Sequence, residues 1–277
     1  MMYRILKVEL FKLFREAKTW YAIVAVLIIE FIIFFAAYYQ GKTILELLLD
    51  NLRQSFYFEG NLLNGNLLLY IVLNSLWFNL PLILMIVSSA LITEEYKTGT
   101  LKTLMLQAVS KKKLILAKYI TSLIFTISIL ALLMLSSFVL AYSIFGDGDL
   151  VVYLGTLNFF PAEEAFSRIL WAFASGTLSM IFFTTVSVTL GIILKEPTKT
   201  WIASALFLIL SSLFIKADFG RFGDYFFPKL TNSWQCFFAY DLDILSILQE
   251  NILLLAYTIL FAVVGIYKFN KTNIGWI

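Results

Sequence analysis

Long apolar runs alternate with short polar segments along this chain of 277 residues. A helix needs about 20 apolar residues to cross the hydrocarbon core of a bilayer. Six runs reach or approach that length: 20–39, 66–92, 114–145, 168–194, 200–215 and 251–267. The pattern therefore predicts six transmembrane helices.

Two further segments have a mixed pattern. In residues 2–18, apolar side chains recur at helical spacing and basic side chains lie mostly on the other faces, which predicts an amphipathic helix at the membrane interface. Residues 216–250 alternate aromatic clusters with aspartates. We expect re-entrant or broken helices there, covered by protein, because uncovered irregular backbone is not tolerated at membrane depth. The predicted fold is an all-α polytopic membrane protein in a single domain, residues 1–277.

The composition is that of a membrane protein, and it excludes several kinds of catalytic and redox site. Hydrophobic residues make up 61% of the chain and charged residues 14%, against about 45–50% and 25% in soluble domains. Histidine is absent and Cys236 is the single cysteine. These counts exclude histidine-dependent hydrolysis, a Cys-x-x-Cys redox pair and an intrachain disulfide.

Charge is distributed unevenly between the two sides of the six-helix arrangement. The side with both termini, the 93–113 segment and the Lys195–Lys199 loop holds 15 of the 21 lysines and arginines. Loops rich in lysine and arginine remain in the cytoplasm. We therefore predict that both termini are cytoplasmic, and the net charge of +3 gives no reason to expect a nucleic-acid partner.

The cytoplasmic segment 94–110 has its own helical pattern. Leu101, Leu104, Met105 and Ala108 form one narrow apolar stripe, and Gly99 followed by Thr100 indicates a break with a new helix beginning at Thr100. This predicts a short surface helix across the direction of the spans. A plain cytoplasmic loop fits the pattern equally well.

The order of residues within this segment helps to decide between a surface helix and a plain loop. The order Glu95, Gly99-Thr100-Leu101, Leu104, Val109-Ser110-Lys111 and Lys118 resembles the cytoplasmic segment of ABC-2 type permeases, the membrane subunits of one class of ATP-binding-cassette transporters. The resemblance extends over the whole chain in the number and order of helices. Ala108 departs from the family, which often has proline there.

The resemblance implies that residues 94–110 form a coupling helix that docks on a separate ATP-binding subunit. Gly99 would permit the bend, Thr100 would cap the helix, Leu101 and Leu104 would anchor it, and Glu94 and Glu95 would pair with basic neighbours. The full set implied is Glu94, Glu95, Gly99, Thr100, Leu101, Leu104, Val109, Ser110 and Lys111.

The same resemblance implies the partners and the activity. We expect a permease subunit of an exporter in a prokaryotic cell membrane, surrounded by lipids and paired with a second permease subunit, identical or related. Two ATP-binding subunits would hold the ATP and magnesium, so this chain is expected to contain no cofactor and to be no enzyme. The substrate is not named by the sequence.

Two short motifs resemble parts of known enzyme motifs but are incomplete. Gly41-Lys42-Thr43 copies the end of a phosphate-binding loop, but Ala36 occupies the position of the required earlier glycine. Glu163, Glu164 and Arg168 resemble the first motif of glutamic intramembrane proteases, which also need histidines that this chain lacks. We interpret the acidic pair as favouring a helix N-terminus.

Glu30 is the ionisable residue that stands in the middle of a predicted span. Such a residue suggests a function, and an ion- or proton-coupled secondary carrier is the alternative to an ABC permease. A structural role is also open, with Glu30 facing the interior and hydrogen-bonded to Asn74 or Asn79. Pro81 can kink the second span and line a pathway, or simply pack. A third alternative is a non-transporting immunity or sensor subunit on the same fold.

Overall fold

The computed structural model describes residues 2–53, 61–106, 110–154, 156–215 and 220–272, without the side chains of 47–53, 221 and 222. Nine α-helices lie within these ranges: α1 (Met2–Arg15), α2 (Ala17–Arg53), α3 (Gly65–Thr98), α4 (Thr100–Leu106), α5 (Lys111–Phe145), α6 (Ala162–Leu194), α7 (Pro197–Phe214), α8 (Phe227–Leu230) and α9 (Ile244–Lys271). Two strands, β1 (Leu150–Tyr153) and β2 (Leu157–Phe160), join α5 to α6. Two 3₁₀ helices, Gly220–Tyr225 and Ser233–Phe238, flank α8.

Six of these helices, α2, α3, α5, α6, α7 and α9, are long and apolar enough to cross a membrane. The predicted all-α polytopic fold is confirmed. The short helices before α9 also agree with the expectation of broken helices over 216–250, although α9 already begins at Ile244. The four residues 216–219 lie outside the described part of that segment.

Three features differ from the sequence-based bounds. The polar segment after the first apolar run continues α2 as far as Arg53, because nothing in it breaks a helix. The fourth span begins at Ala162 rather than at 168. An antiparallel hairpin, with Leu150 opposite Phe160, occupies the connection before α6, where the sequence analysis predicts no strand.

Helices α3 and α6 form the centre of the bundle. Most of their residues are buried, whereas α2, α5, α7 and α9 keep many large apolar side chains exposed. Apolar exposure on the outer helices is expected where lipid tails replace water as the solvent. The bundle therefore has a central helix pair covered by four helices that face lipid.

The two ends of the bundle differ in their contacts. At one end, here called the hairpin end, Asn64 and Asn66 donate side-chain hydrogen bonds of 2.7 Å to the carbonyls of Asp149 and Gly148. At the other, here called the α4 end, helices α1, α3, α4 and α5 meet the last turn of α9, where Lys111 Nζ donates to the Thr272 carbonyl at 3.1 Å. The residues of the candidate site lie at the α4 end.

Candidate functional site

Gly99 separates helix α3 from helix α4. Its φ of 72° is in the left-handed region, which L side chains rarely adopt. Its N–H donates to the Tyr96 carbonyl at 3.3 Å, and its own carbonyl accepts from Lys102 at 3.1 Å. No atom lies within 4 Å of a Cβ added there. The backbone conformation, and not crowding, therefore favours glycine at this bend.

The bend lies where the sequence predicts a break, and it divides the segment 94–110 between the end of α3 and helix α4. Glu94 and Glu95 belong to the last turns of α3, which runs to Thr98 and ends at the left-handed Gly99. Thr100 is the first residue of α4, and its hydroxyl lies 3.0 Å from that of Thr98. The cap role of Thr100 stays a prediction. The short helix itself is present over Thr100–Leu106.

Helix α4 is anchored by Leu101. This side chain is 1% exposed and belongs to a cluster, here called the α4 cluster, that joins four other helices. Met105 packs against the cluster, whereas Leu104, the predicted second anchor, is only half-buried. The buried members are Ile92, Leu101, Leu114, Ile115, Tyr119, Val188, Ile192 and Phe269.

The opposite face of α4 is open. Lys102 and Thr103 are exposed, and Leu106 is 89% exposed at the end of the helix. Ser110 precedes α5 with extended backbone and makes no side-chain cap, and Lys111 is the first residue of α5. Val109, like Ala108, lies outside the described residues.

Four charged side chains meet beneath the α3–α4 bend. Lys118 Nζ lies 2.9 Å from Glu9 Oε2 and 2.9 Å from Glu95 Oε2, and it donates to the Leu91 carbonyl at 2.7 Å. Lys12 Nζ lies 3.4 Å from Glu9 and 3.0 Å from Glu95. This group, here called the ion cluster, connects helices α1, α3 and α5.

Burial makes the ion cluster energetically important. Lys118 is fully buried and Glu9 is 2% exposed. Desolvation of an ion is costly unless an opposite charge and hydrogen bonds compensate it. Each buried charge here has such partners, and removal of one would leave the others uncompensated.

Burial and neighbouring charges also shift the pKa values of two more exposed residues, Lys12 and Glu16. For Lys12, burial opposes the charged form, but attraction by Glu95 and Glu9 outweighs it and raises the pKa of the ammonium above 10.5. Burial raises the pKa of Glu16 above 4.5; Lys18 opposes this shift and Glu94 adds to it. Lys18 also pairs with Glu94 at 2.5 Å. The expected pairing of Glu94 and Glu95 with basic residues is therefore present.

Sequence reasoning missed two members of the ion cluster. The sequence analysis does not single out Glu9, which lies on the buried face of α1 with Leu13. Lys118 belongs to the residue order that resembles ABC-2 permeases but has no predicted role, although it stands after four apolar residues of α5. A lone lysine flanked by Ala117 and Tyr119 was the available signal for a buried charge.

Glu30 lies far from this end and has different neighbours from those predicted. It is 1% exposed. Its carboxylate accepts from Ser136 at 2.7 Å and from Ser137 at 2.6 Å, both on α5. The predicted hydrogen bond to Asn74 or Asn79 is wrong, because both amides are exposed and donate to the carbonyls of Tyr70 and Ser75 within α3.

The remaining sequence candidates lie within helices. Pro81 is buried inside α3, which continues on both sides of it. Gly41, Lys42 and Thr43 lie within α2, where no phosphate-binding loop can form. Glu163 and Glu164 lie in the first turn of α6. Arg168 pairs with Glu164 at 2.7 Å and donates to the carbonyls of Phe237 and Ala239.

The arrangement defines an integral membrane protein whose spanning helices converge on a short helix at one end. A model of the ABC-2 family of transporter proteins matches residues 5–211, which include most of α1, the ion cluster, α4, the first four spanning helices and most of the fifth. The chain belongs to the ABC-2 transporter family. A comparison with curated proteins finds no match.

Proposed function

We propose that this chain is the permease subunit of an ABC exporter and that a separate ATP-binding subunit drives it by docking on α4 and the adjoining α3–α4 bend. In the complete transporter two permease subunits enclose the pathway and two ATP-binding subunits lie beneath them. Family membership supports the permease role, and the geometry of α4 supports the docking site.

Leu106 is the observation on which this docking site rests. A leucine that is 89% exposed stands beside exposed Lys102 and Thr103, on a helix whose other face is held by Leu101. An exposed apolar side chain with a polar rim is typical of an interaction surface. A partner that covers Leu106 removes its apolar surface from water without unfolding α4.

The α4 cluster gives this surface a mechanical connection to the spans. Leu101 contacts a cluster with members on α3, α5, α6 and α9, and the partly buried Ile5 of α1 packs against it. Closely packed interiors transmit displacement because they are nearly incompressible. Movement of a docked subunit would therefore reach four spanning helices through one leucine.

The orientation needed for docking agrees with the charge pattern. The α4 end contains α1, the last turn of α9 and the basic side of the chain, which the positive-inside rule assigns to the cytoplasm. ATP-binding subunits are cytoplasmic, so α4 would face them. Export is proposed from the resemblance rather than from any feature of one subunit.

The docking surface can be tested by comparing two leucines of the same helix. Leu106→Asp should abolish co-purification of the ATP-binding subunit while leaving the thermal unfolding of the permease unchanged. Leu101→Ala should lower the free energy of unfolding by about 2–5 kcal/mol, because it opens a cavity in the α4 cluster. Retained co-purification in a folded Leu106→Asp variant would exclude docking at α4.

A further inference from the structure

Helices α6 and α9 pack against each other and, toward the hairpin end, also line a groove. Near the α4 end they are in contact, and Thr189 Oγ1 donates to the Phe261 carbonyl at 3.1 Å. Toward the hairpin end they enclose a groove of about 630 Å³. That volume is within the range of about 300–1,000 Å³ that is typical of ligand sites.

The walls of the groove are two matched apolar stripes. Trp171, Ala174 and Leu178 line it from α6, and Ile244 and Leu248 line it from α9. Each set follows the spacing of one helix face. Trp171 and Ile244 are 60% and 61% exposed, so the groove opens sideways to the lipid-facing surface. A ligand can therefore enter from the bilayer.

Opposite charges stand at the rim. Glu164 and Arg168 both line the groove, and their ion pair measures 2.7 Å. The ion pair uses Oε1 of Glu164 and leaves Oε2 without a donor among the described residues. One Nη2 proton of Arg168 likewise has no acceptor there. The rim can thus receive an ammonium and a phosphate together.

A hydrogen-bond donor lies deeper in the groove. Asn251 Oδ1 accepts from Ser175 at 3.1 Å and from Ser233 at 3.3 Å. The amide nitrogen donates to no described residue, although Asn251 lines the groove. Arg168 and Ser175 are seven residues apart, so the two polar levels differ by about 10 Å along the helix. An unpaired amide donor at membrane depth favours a ligand with an acceptor oxygen.

We infer that this groove binds one glycerophospholipid from the leaflet at the hairpin end. Its zwitterionic headgroup lies at Glu164 and Arg168, one acyl chain follows the apolar stripes, and an ester carbonyl accepts from the Asn251 amide. The glycerol unit joins the phosphate to the ester carbonyl. With one hydrogen bond at each of these groups, it spans the distance of about 10 Å between the levels of Arg168 and Ser175. This site goes beyond the proposed function and does not depend on the ATP-binding subunit.

Photolabelling tests the site. The full chain is reconstituted in nanodiscs that contain phosphatidylethanolamine with a diazirine in one acyl chain, and labelled peptides are located by mass spectrometry. Labels should concentrate on the groove residues of α6 and α9. Ala174→Phe should lower that labelling by roughly tenfold, the factor expected when about two methylene groups lose their burial.

Three further variants provide a second obstruction, a control and a test of the amide hydrogen bond. Ser167→Phe obstructs the groove from a second exposed position, in case Ala174→Phe does not fold. Leu206→Phe adds the same ring to a lipid-facing site on α7 and should leave the labelling unchanged. Native mass spectrometry should also find less phosphatidylethanolamine retained by Asn251→Leu. Equal groove labelling in the wild type and the folded obstructed variants, or labels spread evenly over all lipid-facing helices, would overturn the site.

Discussion

The Nζ atom of Lys118 lies 2.9 Å from Oε2 of Glu9, and both side chains are buried. This ion pair joins the N-terminal helix α1 to the spanning helix α5, and Glu95 extends it to the end of α3. At the α4 end, buried charges therefore join α1, α3 and α5.

Lys118→Met should strongly destabilise the protein. The substitution keeps a similar side-chain length but leaves Glu9 and Glu95 buried beside Lys12 alone, and breaking a buried ion pair costs about 3–5 kcal/mol. Denaturant titration in detergent micelles measures the change. Adding Glu9→Gln to Lys118→Met should recover part of the loss.

Lys199→Met is the matched control. Lys199 pairs with Glu196 at 3.1 Å, but the lysine side chain is 71% exposed. Removing an exposed pair should change stability by less than about 1 kcal/mol. Similar losses in the two lysine variants would contradict an energetically important ion cluster.

Substitution of Gly99 should act through the backbone alone. Gly99→Val places a β-branched residue at positive φ, which costs at least about 1–2 kcal/mol, while Gly99→Asn tolerates that conformation. We expect valine, and not asparagine, to weaken co-purification of the ATP-binding subunit. Equal binding by both variants would show that the α3–α4 bend is not needed for docking.

Glu16 should make stability depend on pH. Because burial raises the pKa of this carboxyl in the folded protein, its protonated form is favoured there, and that stabilisation is lost as pH rises from 4.5 through the folded-state pKa. Glu16→Gln should therefore unfold at increasingly higher temperature than the wild type as pH rises from 4 to 8. Glu46→Gln, at an exposed site on α2, is the control and should not show this trend.

Glu30→Gln distinguishes a permease from a secondary carrier. Glutamine keeps an oxygen that accepts from Ser136 and Ser137, so the fold and ATP-driven transport should both persist. Glu30→Leu removes the acceptor and should destabilise the contact between α2 and α5 by about 1–3 kcal/mol. Loss of transport in a folded Glu30→Gln variant would favour proton or ion coupling instead.

In Arg168→Lys, lysine should not hold the segment 237–239 as arginine does. The guanidinium binds Glu164 and two carbonyls of the Ser233–Phe238 helix and its following residue, and an ammonium cannot reproduce that planar set of donors. Hydrogen exchange should quicken around residues 237–239 in this variant. Unchanged exchange would mean that packing alone holds this segment.

Much of the fold could be predicted because its main signals are local. Apolar runs long enough to span a bilayer require no knowledge of neighbours, and Gly99 marks a bend by its own conformational freedom. The predicted helix boundaries were less accurate, since polar residues such as those after Tyr39 continue a helix beyond the apolar run. The hairpin was missed because cross-strand pairing depends on residues that are not adjacent.

The chain by itself determined a six-helix membrane protein with a short helix between the second and third spans, because hydrophobic length and glycine placement act locally. Tertiary structure decided which charges are buried together. Glu9 and Lys118 are 109 positions apart, and no periodicity within α1 or α5 could pair them. It also decided that Glu30 meets Ser136 and Ser137 instead of Asn74, because helix packing sets which side chains share a low-dielectric interior.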